Sequence, residues 1–184
     1  MDKPPVTVCA LVAALGLGLA ALAASHAAEH AHAHGVVRLN VAIEAGAIAL
    51  QLEAPLDSLV GFEHAPRTAE QKQAVQRMFE RFGTPQSLFG FVPAAQCTLK
   101  SSSAESDALK ADAANPAKGG DEHADLDGNF VFECKQLDTV DSIDVSGLLA
   151  AFPRISRIDA IVVGPRAQLK RVLKRPEKIL RWGR

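Results

Sequence analysis

The chain has 184 residues, with 20 Lys and Arg against 21 Asp and Glu and a net charge of −1, so it offers no global field to nucleic acid or an anionic membrane surface. Its length suits one domain with a real core and is short for two. The 48% hydrophobic fraction is inflated by the N-terminus and describes the folded part poorly.

Val6 to Ala24 form an Ala- and Leu-rich apolar run after Lys3, ending in small residues that suit a signal peptidase. Residues 1–27 are therefore expected to be a secretory signal peptide, cleaved near Ala23 or Ala27. The run is nearly long enough to span a bilayer, but its Gly and Ala content and A-x-A end favour cleavage over a membrane anchor. Cys9 lies inside it without a lipobox. Residues 28–184 are then expected to be a single exported domain, with no membrane association after cleavage.

Next comes Glu29-His30-Ala31-His32-Ala33-His34-Gly35, which holds half of the six histidines. In an extended chain, residues two apart share a face, so His30, His32 and His34 would point the same way, roughly 6 to 7 Å apart. Zinc takes imidazole nitrogens at about 2.0 to 2.1 Å in a tetrahedral set, and free imidazole is mostly neutral at pH 7. Such a run is either a placed metal site or a loose arm that binds borderline metals weakly.

Beyond Gly35, Val37, Leu39, Val41 and Ile43 face one way with Arg38 and Asn40 between them, and after Glu44-Ala45-Gly46, Ile48, Leu50 and Leu52 alternate with Ala49, Gln51 and Glu53. This is the period of two half-buried strands in a hairpin. The stretch from Ala54 to Pro66 is bounded by prolines that discourage long regular structure. Within it Glu63 and His64 are adjacent. Both reach one ion only if the chain turns there; alternatively Glu63 accepts the second ring N–H of a ligating histidine, or the pair is a solvated surface feature. Thr68-Ala69-Glu70-Gln71 is a capping box. Val75, Met78, Phe79 and Phe82 follow at helical spacing, and Gly83-Thr84-Pro85 ends the helix.

Without Cys9, two cysteines remain. Cys97 and Cys134 both sit in strand-like contexts, and in an oxidising compartment the pair reads as a disulfide rather than a thiolate metal site. Closing that loop removes about 4 kcal/mol of chain entropy from the unfolded state. Residues 101–128 carry seven acidic against two basic residues and few large apolar ones, which predicts a mobile acidic surface loop. Near its end, His123 lies among Asp121, Glu122, Asp125 and Asp127, a donor set that suits zinc or another divalent ion. An acidic solvated loop has the same composition. Further strands are predicted at Val140 to Val145 and Arg157 to Val163, with Ser146 capping a short helix over Gly147 to Phe152. The basic tail fits a helix turn or a strand equally well locally, and its charge suits a solvated face balanced by the acidic loop.

The predicted fold is α+β: mostly antiparallel sheet packed against one main amphipathic helix and linked by a disulfide. No H-E-x-x-H spacing and no Ser or Cys nucleophile context occurs, so an enzyme is not expected. Four stretches carry a resemblance: residues 32–42 (His-Ala-His-Gly-Val-Val-Arg-Leu-Asn-Val-Ala), Leu52-Glu53-Ala54-Pro55, Gly61-Phe62-Glu63-His64-Ala65-Pro66, and the segments around Cys97 and Cys134. Together they resemble the ZrgA-like family of periplasmic zinc-binding proteins of Gram-negative bacteria. The resemblance implies a periplasmic accessory or metallochaperone that binds zinc and supports a high-affinity importer, with the periplasmic binding component of a zinc ABC transporter as partner. It also implies that His30, His32, His34, Glu63, His64, His123 and Asp125 fall on metal-associated segments. Family members usually carry a long His and Asp run between the cysteines, whereas this chain keeps only His123 there, which points to one ordered site with weak extra binding. The alternative is a non-catalytic periplasmic interaction module with incidental metal binding.

Overall fold

A computed structural model describes residues 33–110, 124–165 and 167–183. The expected signal peptide, His30, His32, His123 and the middle of the acidic stretch lie outside the described residues.

The hairpin forms as its alternation dictates. Strands β1 (Val36–Glu44) and β2 (Ala47–Pro55) pair antiparallel, Leu39 opposite Leu52 and Val41 opposite Leu50. They form the middle of a six-stranded sheet of order β3-β4-β2-β1-β6-β7, with β3 (Cys97–Glu105), β4 (Asp125–Cys134), β6 (Arg157–Gly164) and β7 (Ala167–Lys174). Every pairing is antiparallel except β1 with β6. A separate ribbon joins β5 (Ser142–Asp144) to β8 (Ile179–Arg181).

One face of the sheet carries the core. Val37, Leu39 and Val41 of β1, Ile48, Leu50 and Leu52 of β2, Phe130 and Phe132 of β4, and Ile158, Ala160 and Val162 of β6 are all buried. The main helix α2 (Ala69–Phe82) begins with the expected capping box, Gln71 N–H donating to Thr68 Oγ1 at 3.2 Å while the Gln71 amide returns to the Thr68 backbone. It buries Met78 and Phe82, and Phe82 stacks on Phe130 and on Phe152, with ring centroids 6.0 and 5.1 Å apart. The sheet-dominated α+β reading holds, and Cys97 is bonded to Cys134, its direct cross-strand partner.

Four expectations change. First, residues 101–105 are not loop but the second half of β3, residues 125–128 open β4, and a short helix α3 (Asp107–Lys110) follows β3. β3 is an edge strand, so its Ser-rich half satisfies its backbone through the ladder without supplying apolar side chains, which hides it from a composition reading. Second, the proline-bounded stretch contains a five-residue helix, α1 (Leu56–Val60), closed by Gly61 in the left-handed region at φ 89°. Third, α4 (Ser146–Ala151) starts at Ser146 itself, so Ser146 is not its cap; the N-cap position is Val145, and Asp144 Oδ1 accepts the Ser146 N–H at 2.7 Å. Fourth, the basic tail is strand, because pairing with β6 settles what local pattern left open: Leu173 turns into the core while Lys170 and Lys174 lie on exposed positions.

On the face opposite the core, Glu105, Asp127 and Glu53 occupy one cross-strand row on β3, β4 and β2. Arg38 of β1 continues the row and pairs with Glu53 at 2.7 Å. Partial desolvation, then the charges of Glu53, Asp107 and Glu105, holds the Asp127 carboxyl above its ordinary range. A raised folded-state value binds the proton more tightly in the native protein, so this contribution to stability is full below the unfolded value and lost as pH rises through the folded one. Asp127→Asn is therefore expected to raise the melting temperature at pH 7. Because the side chain is exposed, solvent screening limits the gain to about 0.5 kcal/mol, or about 1 to 2 °C. Thermal melts at pH 7 and pH 3.5 check the sign: the gain must vanish at the lower pH.

Candidate metal centre

The centre is organised by the backbone of Gly35. Its left-handed φ of 77° makes a turn in which Val36 N–H donates to Ala33 O at 3.0 Å, a conformation open to glycine and strained for residues with a side chain. Its N–H donates at 2.9 Å to the hydroxyl of Ser58, which is fully buried on α1. Its carbonyl accepts from Ser156 N–H at 2.8 Å, Ser156 Oγ at 3.1 Å and Arg157 N–H at 3.1 Å. A Cβ on Gly35 would lie 2.9 Å from Ser156 Oγ and 3.0 Å from the carbonyl oxygen of Arg154.

This turn separates His34 from the strand that follows it. His34 is in the turn and β1 starts at Val36, so the two-residue alternation does not run from the strand back through His34. The histidine is placed instead by the fixed peptide that follows it. Its Nδ1 lies 3.2 Å from Asp57 Oδ2 and 3.6 Å from Glu63 Oε1. Asp57 sits in the first turn of α1, and Glu63 comes two residues after Gly61 ends that helix. The His34 side chain is 68% exposed, against 18% for Asp57 and 26% for Glu63, so a solvent-facing imidazole meets two carboxylates set into the surface.

These separations are close to those of metal donors. Two ligands about 2.0 to 2.1 Å from a tetrahedral zinc ion lie roughly 3.3 to 3.4 Å from each other. The set is not closed, however. Among the described residues no group of three or more His, Cys, Asp or Glu side chains is arranged to hold an ion as it stands.

His64 is engaged separately. Its Nδ1 lies 2.9 Å from the Ala65 carbonyl and its ring stacks on Phe62, with centroids 5.2 Å apart. A carbonyl only accepts, so Nδ1 is the donor in this contact. No ion pair among the described residues joins His64 to the His34 cluster. Asp125, half-buried, opens β4 opposite Pro55, and the preceding Ala124 carbonyl accepts the N–H of Leu56, the first residue of α1, at 2.7 Å.

Asp57 and its neighbour Arg154 are the functional candidates that the sequence reading misses. The cue for Asp57 is local: an acid two residues after Pro55 and four before Gly61, a spacing that fits the first turn of a short helix. Arg154 lies 97 residues from Asp57, and its approach follows only from the β1–β6 pairing.

Residues 31–182 match the family described as ZrgA family zinc uptake protein. The chain belongs to the ZrgA family. No curated protein matches it. The ZrgA match covers both strands of the hairpin, α1 and the whole stretch between the cysteines, so every segment of the centre from residue 31 onward lies within it. A role in zinc uptake follows from that membership, and the family description names uptake rather than a reaction. No helix among the described residues is long and apolar enough to cross a membrane.

The Gly35 geometry is open to test. Gly35→Ala places a side chain on a left-handed residue and against Ser156, and is expected to destabilise the fold by about 1 to 3 kcal/mol. Urea denaturation measures the loss directly; an unchanged midpoint would show that the turn tolerates a side chain.

Proposed function

We propose that this ZrgA-family chain is a periplasmic, non-enzymatic zinc-binding accessory protein that sequesters the ion as cargo and passes it on. Its primary donors are His34, Asp57 and Glu63. His64 presents Nε2 from the adjoining segment, and Asp125 and His123 are further candidate donors from the stretch that leads into β4. His30 and His32 belong to the arm that precedes His34. The observation that carries the reading is His34 Nδ1 at 3.2 and 3.6 Å from two carboxylates, donor spacing suited to zinc, in a family named for zinc uptake.

Delivery follows from exposure. A solvent-facing imidazole is exchanged more easily than a buried one, so the ion is released one ligand at a time to an acceptor that offers its own donors. The acceptor proposed is the periplasmic binding component of a zinc ABC transporter. Protons compete with zinc for imidazole nitrogen, so acidification favours release.

Titration calorimetry of the mature protein at pH 7.5 is the test. His34→Ala and Asp57→Asn are each expected to weaken zinc binding by roughly 10- to 100-fold while leaving the melting temperature of the zinc-free protein within a few degrees. If both variants bind zinc as the parent does, these residues are not the site. If the parent gives no zinc heat at all, the chain is an interaction module instead.

A further inference from the structure

Asp57 has two carboxylate oxygens, and the protein uses one of them itself. Arg154 donates from Nη2 to Asp57 Oδ1 at 3.0 Å and from Nε to the Asp57 backbone carbonyl at 2.9 Å. The guanidinium lies over Gly61, close enough that a Cβ there would come within 3.7 to 3.8 Å of it. Its position is fixed from its own side too: the Arg154 carbonyl packs on Gly35, and Ser156, two residues on, donates to the Gly35 carbonyl. Arg154 therefore meets Asp57 through two donors of a planar fork, on a backbone tied to the same glycine that places His34. Only Oδ2 is left turned toward the His34 ring.

Resting on the reading of His34, Asp57 and Glu63 as zinc donors, we infer that Arg154 sets the selectivity and the release of that site by keeping Asp57 a one-oxygen donor. Zinc is satisfied by one carboxylate oxygen within a four-ligand set. Calcium gathers six to eight oxygens and readily takes both from one carboxylate. With Oδ1 engaged by a guanidinium, a second metal bond there must compete with that hydrogen bond and its positive charge, and the oxygen-seeking ions lose more than zinc does. The same positive charge offsets one of the two carboxylates that meet the metal, so zinc is held less tightly than the donor set alone allows. Arg154 is thus a positioning residue with an electrostatic role, and it touches no metal.

The experiment is calorimetric titration with zinc chloride and with calcium chloride, on the mature parent, Arg154→Gln, Arg154→Lys and Asp57→Asn, with thermal melts of each. Arg154→Gln removes the charge and frees Oδ1. It is expected to bind zinc roughly tenfold more tightly, which corresponds to about 1.4 kcal/mol, and to gain more for calcium, so that the ratio of the two affinities narrows. Arg154→Lys keeps a cation on Oδ1 and is expected to stay within about threefold of the parent for both ions. A purely structural role gives the opposite pattern: Arg154→Gln weakens zinc because Asp57 is no longer held, and Lys, lacking the fork, fails to restore it. That pattern overturns the inference, as does an unchanged zinc-to-calcium ratio in Arg154→Gln. Asp57→Asn separates the two levels. If it weakens zinc while Arg154→Gln leaves the ratio unchanged, the site stands and the role of Arg154 falls; if it leaves zinc binding unchanged, the site itself falls.

Discussion

The peptide of Gly35 ties together three parts of the fold that are far apart in sequence. Its N–H reaches α1 through Ser58, its carbonyl gathers the backbone that leads into β6, and β1 starts at the next residue. The parallel pairing of β1 with β6 begins immediately afterwards, with Val36 opposite Arg157. A parallel pair needs a long crossover and cannot be registered by a tight turn, so a fixed point at its start is what sets the register. The same point carries His34 to Asp57 and brings Arg154 over α1. Strand register and donor geometry therefore depend on one backbone group.

Much of the fold is visible in the residues. The hairpin alternation at Val37 to Leu52, the helical stripe from Val75 to Phe82 with its capping box, and the cysteine pair all form as their patterns predict. These are signals of local period or simple chemistry, and each needs only neighbouring residues to be read. The edge strand at Ser101 to Glu105 and the tail strand at Ala167 to Lys174 are not legible in that way. An edge strand is stabilised through hydrogen bonds to its partner, and partner identity is not written in its own composition.

The centre divides along the same line. Glu63 and His34 stand out as donor types in a suggestive sequence and are brought within reach of each other. Asp57 is an ordinary acid until α1 turns it toward His34, and Arg154 is an ordinary cation until β6 brings it across. Glu63 and His64, adjacent in sequence, make different contacts. The chain turns the two side chains to different tasks, one beside His34 and one against Phe62 and the Ala65 carbonyl. Adjacency in sequence is weak information about adjacency of donor atoms wherever the backbone is irregular.

The hydrogen bond from Leu56 to the Ala124 carbonyl bears on how the stretch between the cysteines is anchored. That stretch spans 37 positions, and a chain tethered only at its two ends would search a wide volume before meeting α1. Ala124 moors the returning chain at the first residue of the helix that bears Asp57. The closure entropy of that stretch is therefore divided between this hydrogen bond and the disulfide, and α1 is held at its first residue by the backbone that enters β4.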